Sequence, residues 1–272
     1  MTTKPHRLYI FSGKGGVGKT TLSRAFVRLL NGQGHKAIYL SFRGQAINDI
    51  SNTNSDTQVN GVQEVFLDLE DCARSYIEKR LSSKLIASWI VKTPFFRSLI
   101  NMVPGFNYLI FLGKILEMGK ADPNLIIVLD APASGHALTM VESTTNFQQI
   151  FESGVIFEDT GKMLALLNDP AYTMIHVVSL PSLMSWQEAI ELKTGLSART
   201  PVNVHITVNN CLFPLVLDQI DALPPALKEK ALNEQKLVEE NKTEIQCIIQ
   251  HSLGPDLKTI ELDLVGSLSN LI

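Results

Sequence analysis

Cysteine is scarce and widely spaced. Cys72, Cys211 and Cys247 are odd in number and far apart in the 272-residue chain, which excludes a disulfide framework and a C-x-x-C metal site. A reducing, cytoplasmic setting is the expectation. An excess of positive charge is also lacking. Lys and Arg total 24 against 27 Asp and Glu, a formal net charge of -3 with no basic run, so no nucleic acid is expected as a partner. Membrane-length apolar runs are missing as well. The long uncharged stretches, 170–187 and 200–217, carry prolines, asparagines or serines and read as strand plus turn. No apolar stretch of signal-peptide length precedes residue 13, and a soluble protein is expected.

What is present suits a large α/β domain. Hydrophobic residues make up 45% of the chain, enough for a sizeable core. Runs rich in Val, Ile, Leu and aromatics occur at Arg7 to Phe11, Ala37 to Phe42, Leu125 to Asp130, Met174 to Ser179, Val202 to Asn209 and Thr259 to Leu264. Helical patterns separate them. That alternation predicts a doubly wound, mostly parallel sheet with helices on both faces, in which ligands bind at the carboxyl ends of the strands. Length alone suggests two domains, but the signals run in one series, so residues 1–272 are read as a single domain. The interval from Arg43 to Asn124 is too long for an ordinary crossover. Its apolar spacing at Val62, Val65, Phe66 and Leu69 predicts a helical insertion at about 62–119. Residues 226–252 read as a charged, amphipathic surface helix.

The most informative segment is GKGGVGKT, residues 13–20, which follows an apolar run and precedes a helical pattern. In that context G-x-x-x-x-G-K-[ST] is a phosphate-binding loop. Gly13, Gly15, Gly16 and Gly18 let backbone N-H groups approach phosphate oxygens. Lys19 is placed to reach the β- and γ-phosphates, and Thr20 to put its hydroxyl on Mg²⁺. Lys14 and Val17 complete the loop, and Thr21 directly after it is a further nucleotide-binding candidate. A nucleotide and Mg²⁺ are the cofactors expected, with Lys19 as a catalytic candidate.

Lys14 makes this loop resemble the deviant Walker A form of a family of dimeric ATPases. The run DAPASGHAL, Asp130 to Leu138, is similar to the DTAPTGHTL switch of arsenite-pump ATPases and the related ATPases that target tail-anchored membrane proteins. Residues 167–192 and VNNCLFP, Val208 to Pro214, extend the likeness. The resemblance implies a P-loop ATPase of the SIMIBI type, with ATP as the nucleotide and Mg²⁺ as the metal, working as a homodimer or heterodimer in which Lys14 reaches the partner's nucleotide and joins Lys19 as a catalytic candidate. It further implies that Asp130 holds Mg²⁺ through water and that Asn209 faces the adenine. Left to the residues alone, Asp130 could be a turn aspartate, Asn209 a strand-end turn and His136 a structural histidine.

The likeness breaks after the second apolar run. Where the family reads STDPAH, this chain reads SFRGQA, so Phe42 and Arg43 stand in place of threonine and the aspartate that orients the attacking water. An arginine neutralises phosphate oxygens but takes no proton from water. Slow hydrolysis is therefore expected, with Asp49, Asp56 or a partner subunit as alternative carboxylate sources. A nucleotide-binding subunit or chaperone without turnover is the other reading. No C-x-x-C is present to hold a zinc between subunits, and the three scattered cysteines offer no evident three-thiolate site for arsenite. Phe95, Phe96, Met102, Phe106, Tyr108, Phe111, Ile115 and Met118 either line a groove for a hydrophobic or membrane-protein client or pack into a core.

Overall fold

Leu8–Ser12 form β1, and all five residues are buried. A strand with both faces covered belongs in the middle of a parallel sheet, and β1 lies there in the computed structural model, which describes residues 4–42, 57–59, 61–103, 105–132, 135–252, 256–268 and 271. Helix α1 (Lys19–Gly32) follows, then β2 (Lys36–Phe42), β3 (Thr57–Val59) and β4 (Val62–Leu67). Four helices come next: α2 (Leu69–Leu81), α3 (Lys84–Lys92), α4 (Pro94–Met102) and α5 (Phe106–Ala121). Strand β5 (Leu125–Asp130) leads to α6 (Gly135–Ile150), α7 (Val155–Leu167) and β6 (Thr173–Ser179). The chain closes with α8 (Leu183–Ser197), β7 (Val204–Cys211), α9 (Phe213–Val216), a 3-10 turn (Leu217–Ala222), α10 (Pro225–Glu240), β8 (Ile245–Gln250) and α11 (Leu257–Leu268).

The sheet order is β3-β4-β2-β5-β1-β6-β7-β8, and every pairing is parallel except that of β3 with β4. Alternate strand residues feed two cores. Leu8, Ile10, Leu40, Ile127 and Ile175 pack with residues of α5 to α8. Tyr9, Phe11, Tyr39, Val128 and Met174 pack with α1 and α11. This is the doubly wound α/β fold of P-loop nucleotide-binding proteins, with β1 flanked by β5 and β6 at the point where strand order reverses.

Two assignments differ from the sequence expectation. Residues 62–67 are strand β4, not the start of a helix, so the helical insertion begins at Leu69. Glu64 is 2% exposed on the face that packs against α1, and a carboxylate on a buried face conceals the apolar alternation of a strand. Its burial is tolerable because Arg24 of α1 grips both oxygens, at 2.7 and 3.0 Å. At the other end, the last strand is Ile245–Gln250, and Thr259 to Leu264 belong to α11. The Asp256 carboxylate accepts the Thr259 backbone N-H at 2.8 Å, a helix-start contact. Ile260, Leu264 and Leu268 then recur at helical spacing against the α1-side core.

That core also buries His176 completely, stacked on Phe11 with ring centroids 4.9 Å apart and edge-on to His205 at 5.6 Å. Neither of its ring nitrogens has a hydrogen-bond partner. Burial, then the neighbouring His205 and His6, hold its pKa down to about 3. The unfolded chain therefore takes up a proton below pH ~6.5 that the native state refuses. Stability falls as pH drops through this window, by at most about 1.4 kcal/mol per pH unit for one such group. His176→Leu should flatten the fall in urea midpoint between pH 7 and pH 5; an unchanged slope would remove His176 as its source.

Candidate functional site

Residues 13–18 turn the chain from the end of β1 into α1, and two glycines make the turn possible. Gly13 has φ 142°, and a Cβ there would lie 2.3 Å from the Val178 carbonyl oxygen of β6. Gly18 has φ 93°, and its Cβ would lie 2.4 Å from the Asn209 side-chain nitrogen. Both positions have a left-handed backbone that favours glycine, and at Gly13 the neighbour is a backbone carbonyl that cannot move aside. Val17 is buried and anchors the loop in the α1-side core. Lys14, Gly15 and Gly16 are exposed, and a Cβ on Gly15 or Gly16 would meet nothing within 4 Å. The loop is thus pinned at its base and open at its crest.

Gly18 caps α1 without a side-chain acceptor, and the first turn holds no acidic residue. Its N-H groups and the positive end of the helix dipole are available to an anion. Lys19 folds back over the loop and donates to the carbonyl oxygens of Gly13 at 2.9 Å and Lys14 at 2.8 Å. Partial burial lowers its pKa, and the Asp130 charge opposes that fall. Thr20 donates to Asp130 Oδ2 at 2.6 Å, and the Tyr39 phenol donates to the same oxygen at 2.8 Å. Burial raises the Asp130 pKa, while bonds from Thr20 and Tyr39 and the Lys19 and Arg24 charges act the other way. Its second oxygen, Oδ1, is buried with no partner. Thr21 follows in the helix, half-buried.

Of the remaining candidates, Lys14 belongs to the loop and Asn209 bonds it, whereas His136 and Phe42 have their contacts on α5. Lys14 is bonded within its own chain, to Glu188 of α8 at 2.8 Å. Sequence reasoning assigned Glu188 no role, although a carboxylate two turns into the helix after β6 lies next to the loop that β6 supports. Asn209 donates its side-chain N-H to the Val17 carbonyl oxygen at 2.8 Å, and so ties β7 to the loop. His136 at the start of α6 is exposed and hydrogen-bonds the Tyr108 phenol of α5. Phe42 is buried and stacks on Phe111 of α5 at 4.2 Å. Arg43, Asp49 and Asp56 lie outside the described residues.

The apolar residues of the insertion divide. Phe96, Tyr108, Phe111 and Ile115 are buried, and Phe106 and Met118 pack against the core. These make an ordinary helix core rather than a groove. Phe95 and Met102 are exposed, however, together with Leu85 and Trp89 of α3, which are 86% and 70% exposed.

Magnesium and a nucleoside triphosphate fit these residues. Among the described residues no group of three or more His, Cys, Asp or Glu could hold a metal. A metal here would rest on phosphate oxygens, the Thr20 hydroxyl and water next to the unpartnered Asp130 oxygen, the sparse protein ligation that suits Mg²⁺. No described helix is long and apolar enough to cross a membrane.

A glycine loop between a central parallel strand and a helix, a lysine over its carbonyls and a Thr-Asp pair at the helix start define a P-loop nucleotide-binding protein. The comparisons with known proteins narrow this class. A family model described as anion-transporting ATPase matches residues 6–156, more than half of the chain, and the chain belongs to that family. It is 24% identical to ATPase BagA of Mycobacterium tuberculosis over 205 residues, 68% of this chain and 59% of that protein. It is 23% identical to the ATPase ASNA1 homolog of Cryptosporidium parvum over 248 residues, 75% of this chain and 65% of that one. The chain therefore spans about three fifths of these curated relatives.

The clash at Gly13 gives a direct test of the loop geometry. Gly13→Ala should lower stability by about 2–4 kcal/mol, from the left-handed backbone and the displaced β6 carbonyl together. Urea unfolding measures it, and a midpoint equal to that of the parent would contradict the placement of the loop against β6.

Proposed function

We propose that this protein is a cytoplasmic, Mg²⁺-dependent ATPase of the arsenite-pump and tail-anchored-targeting type, which binds ATP at residues 13–21 and hydrolyses it slowly as a dimer. The observation that carries the reading is the Thr20–Asp130 bond beside Lys19, set at the N-terminus of α1. Lys19 and the loop N-H groups bind and stabilise phosphate charge. Thr20 ligates the metal, Asp130 holds its water shell, and Asn209 fixes the loop next to the adenine side. Bound Mg²⁺ supplies charge neutralisation at the β- and γ-phosphates.

Lys14 reaches the partner's nucleotide only after leaving Glu188. The pair is half exposed at both ends, with side-chain exposures of 47% and 40%, and such pairs are worth about 0–1 kcal/mol. ATP and closure of a homodimer or heterodimer supply enough to open it. Glu188→Gln should therefore raise the dimer fraction at limiting ATP and Mg²⁺ several-fold by sedimentation; an unchanged fraction would count against an intrachain restraint on Lys14. Leu85 and Trp89, one turn apart on α3, and Phe95 and Met102 on α4 are each exposed, and exposed apolar side chains on neighbouring helices are what a hydrophobic or membrane-protein client would engage.

A second reading, a nucleotide-binding subunit or chaperone without turnover, is favoured by Phe42. An aromatic ring packed into the α5 side stands where the related ATPases carry a hydroxyl. Phosphate release separates the two readings. The parent should turn over slowly and Arg43→Asp faster, whereas no release from either leaves the binding role. Lys19→Ala removes a charge-assisted contact worth about 2–3 kcal/mol, so ATP affinity should fall by roughly 100-fold. Parental affinity in that variant would sink both readings.

A further inference from the structure

The polar side chains that reach Asp130 do not end at the loop. On the α1 side of the sheet, Asp130 closes β5, Tyr39 lies on the neighbouring β2, and Glu64 on β4 is the register partner of Tyr39. The three are joined in series. The Tyr39 phenol donates to Asp130 Oδ2 at 2.8 Å, the Arg24 guanidinium lies 5.0 Å from the centre of the Tyr39 ring, and Arg24 donates twice to Glu64. Tyr39 and Glu64 are each 2% exposed. A buried Arg-carboxylate fork is geometrically rigid, and a cation over an aromatic face is stronger when desolvated. The phenol is therefore held in place by groups that touch no part of the loop.

We propose that Tyr39 is a positioning residue for Asp130: with Thr20 it occupies Oδ2 and so leaves Oδ1 as the oxygen directed to the water shell of Mg²⁺, while the Arg24–Glu64 pair fixes the ring. The proposal rests on the nucleotide reading above and adds to it a residue that the loop motif does not contain. Two donors on one carboxylate oxygen settle its rotamer before any metal arrives, and the free oxygen has no protein partner to displace. Outer-shell partners of this kind typically change metal affinity by 10–100-fold when removed. The arrangement also ties the metal side of the site to β4, the strand beyond the segment that follows β2. A shift of β4 would move Glu64, then Arg24, then the phenol.

The test separates metal from nucleotide. ATP binding is measured by calorimetry in EDTA, and MgCl₂ is then titrated into the protein saturated with ATP. Tyr39→Phe keeps the ring and its stacking but removes the donor. It should raise the Mg²⁺ midpoint by about tenfold, with ATP affinity in EDTA within about twofold of the parent, since the phosphate-binding loop is untouched. Arg24→Lys keeps the charge but loses the fork, and should move the midpoint the same way by a smaller factor. Parental midpoints in both variants, or equal losses with and without metal, overturn the proposal while leaving the ATP site standing. A parent that binds no ATP removes the nucleotide reading and this one together.

Discussion

The hydrogen bond from Thr20 to Asp130 joins the first turn of a helix to the end of a neighbouring strand, and the geometry of the site depends on it. Thr20 is fixed by the loop that Gly13 and Gly18 allow, and Asp130 by the register of β5 against β1 and β2. Neither side chain could be placed without the strand order that brings β5 next to β1. Lys19 on the same turn closes over the loop carbonyls, so that one helix terminus carries the ammonium, the hydroxyl and the free N-H groups at once. The proposed anion site would be a property of backbone topology that the side chains refine.

On the α1 side, two buried carboxylates are each gripped by an arginine. Glu64 is held by Arg24, and Glu261 of α11 by Arg28 at 2.8 Å. Removing one partner from such a pair leaves an uncompensated charge and costs about 3–5 kcal/mol. Asp130 differs, because its two donors are neutral hydroxyls and one of its oxygens is left without a partner. A buried carboxylate kept only half satisfied is a poor device for stability and a suitable one for a ligand. The contrast within one face of one sheet supports reading Asp130 as a binding group.

Much of this was legible in the sequence, and what was not has physical causes. The loop was readable because its glycines and lysine sit at fixed spacing between unmistakable strand and helix signals. Strand β4 was not, because Glu64 occupies a buried position that periodicity expects to be apolar, and only the three-dimensional proximity of Arg24 makes it admissible. The exchange of strand and helix near the C-terminus arose where short apolar runs fit either period. The site extended beyond the motif for a similar reason. Tyr39 and Glu188 reach the centre through sheet register and helix packing, which no linear spacing encodes. Most aromatic residues of the insertion turned out to be core, and the exposed apolar side chains are instead Leu85 and Trp89 on α3 and Phe95 and Met102 on α4.

The central claim is that the end of β5 and the start of α1 hold a magnesium-bound triphosphate between them. Calorimetric titration of ATP into the parent protein and into Asp130→Asn, each with Mg²⁺ and with EDTA, tests it most directly. The account predicts saturable binding to the parent that Mg²⁺ tightens by about tenfold or more, and a variant that still binds ATP but is largely indifferent to the metal. Flat traces from the parent, or a variant that responds to Mg²⁺ as the parent does, would contradict it.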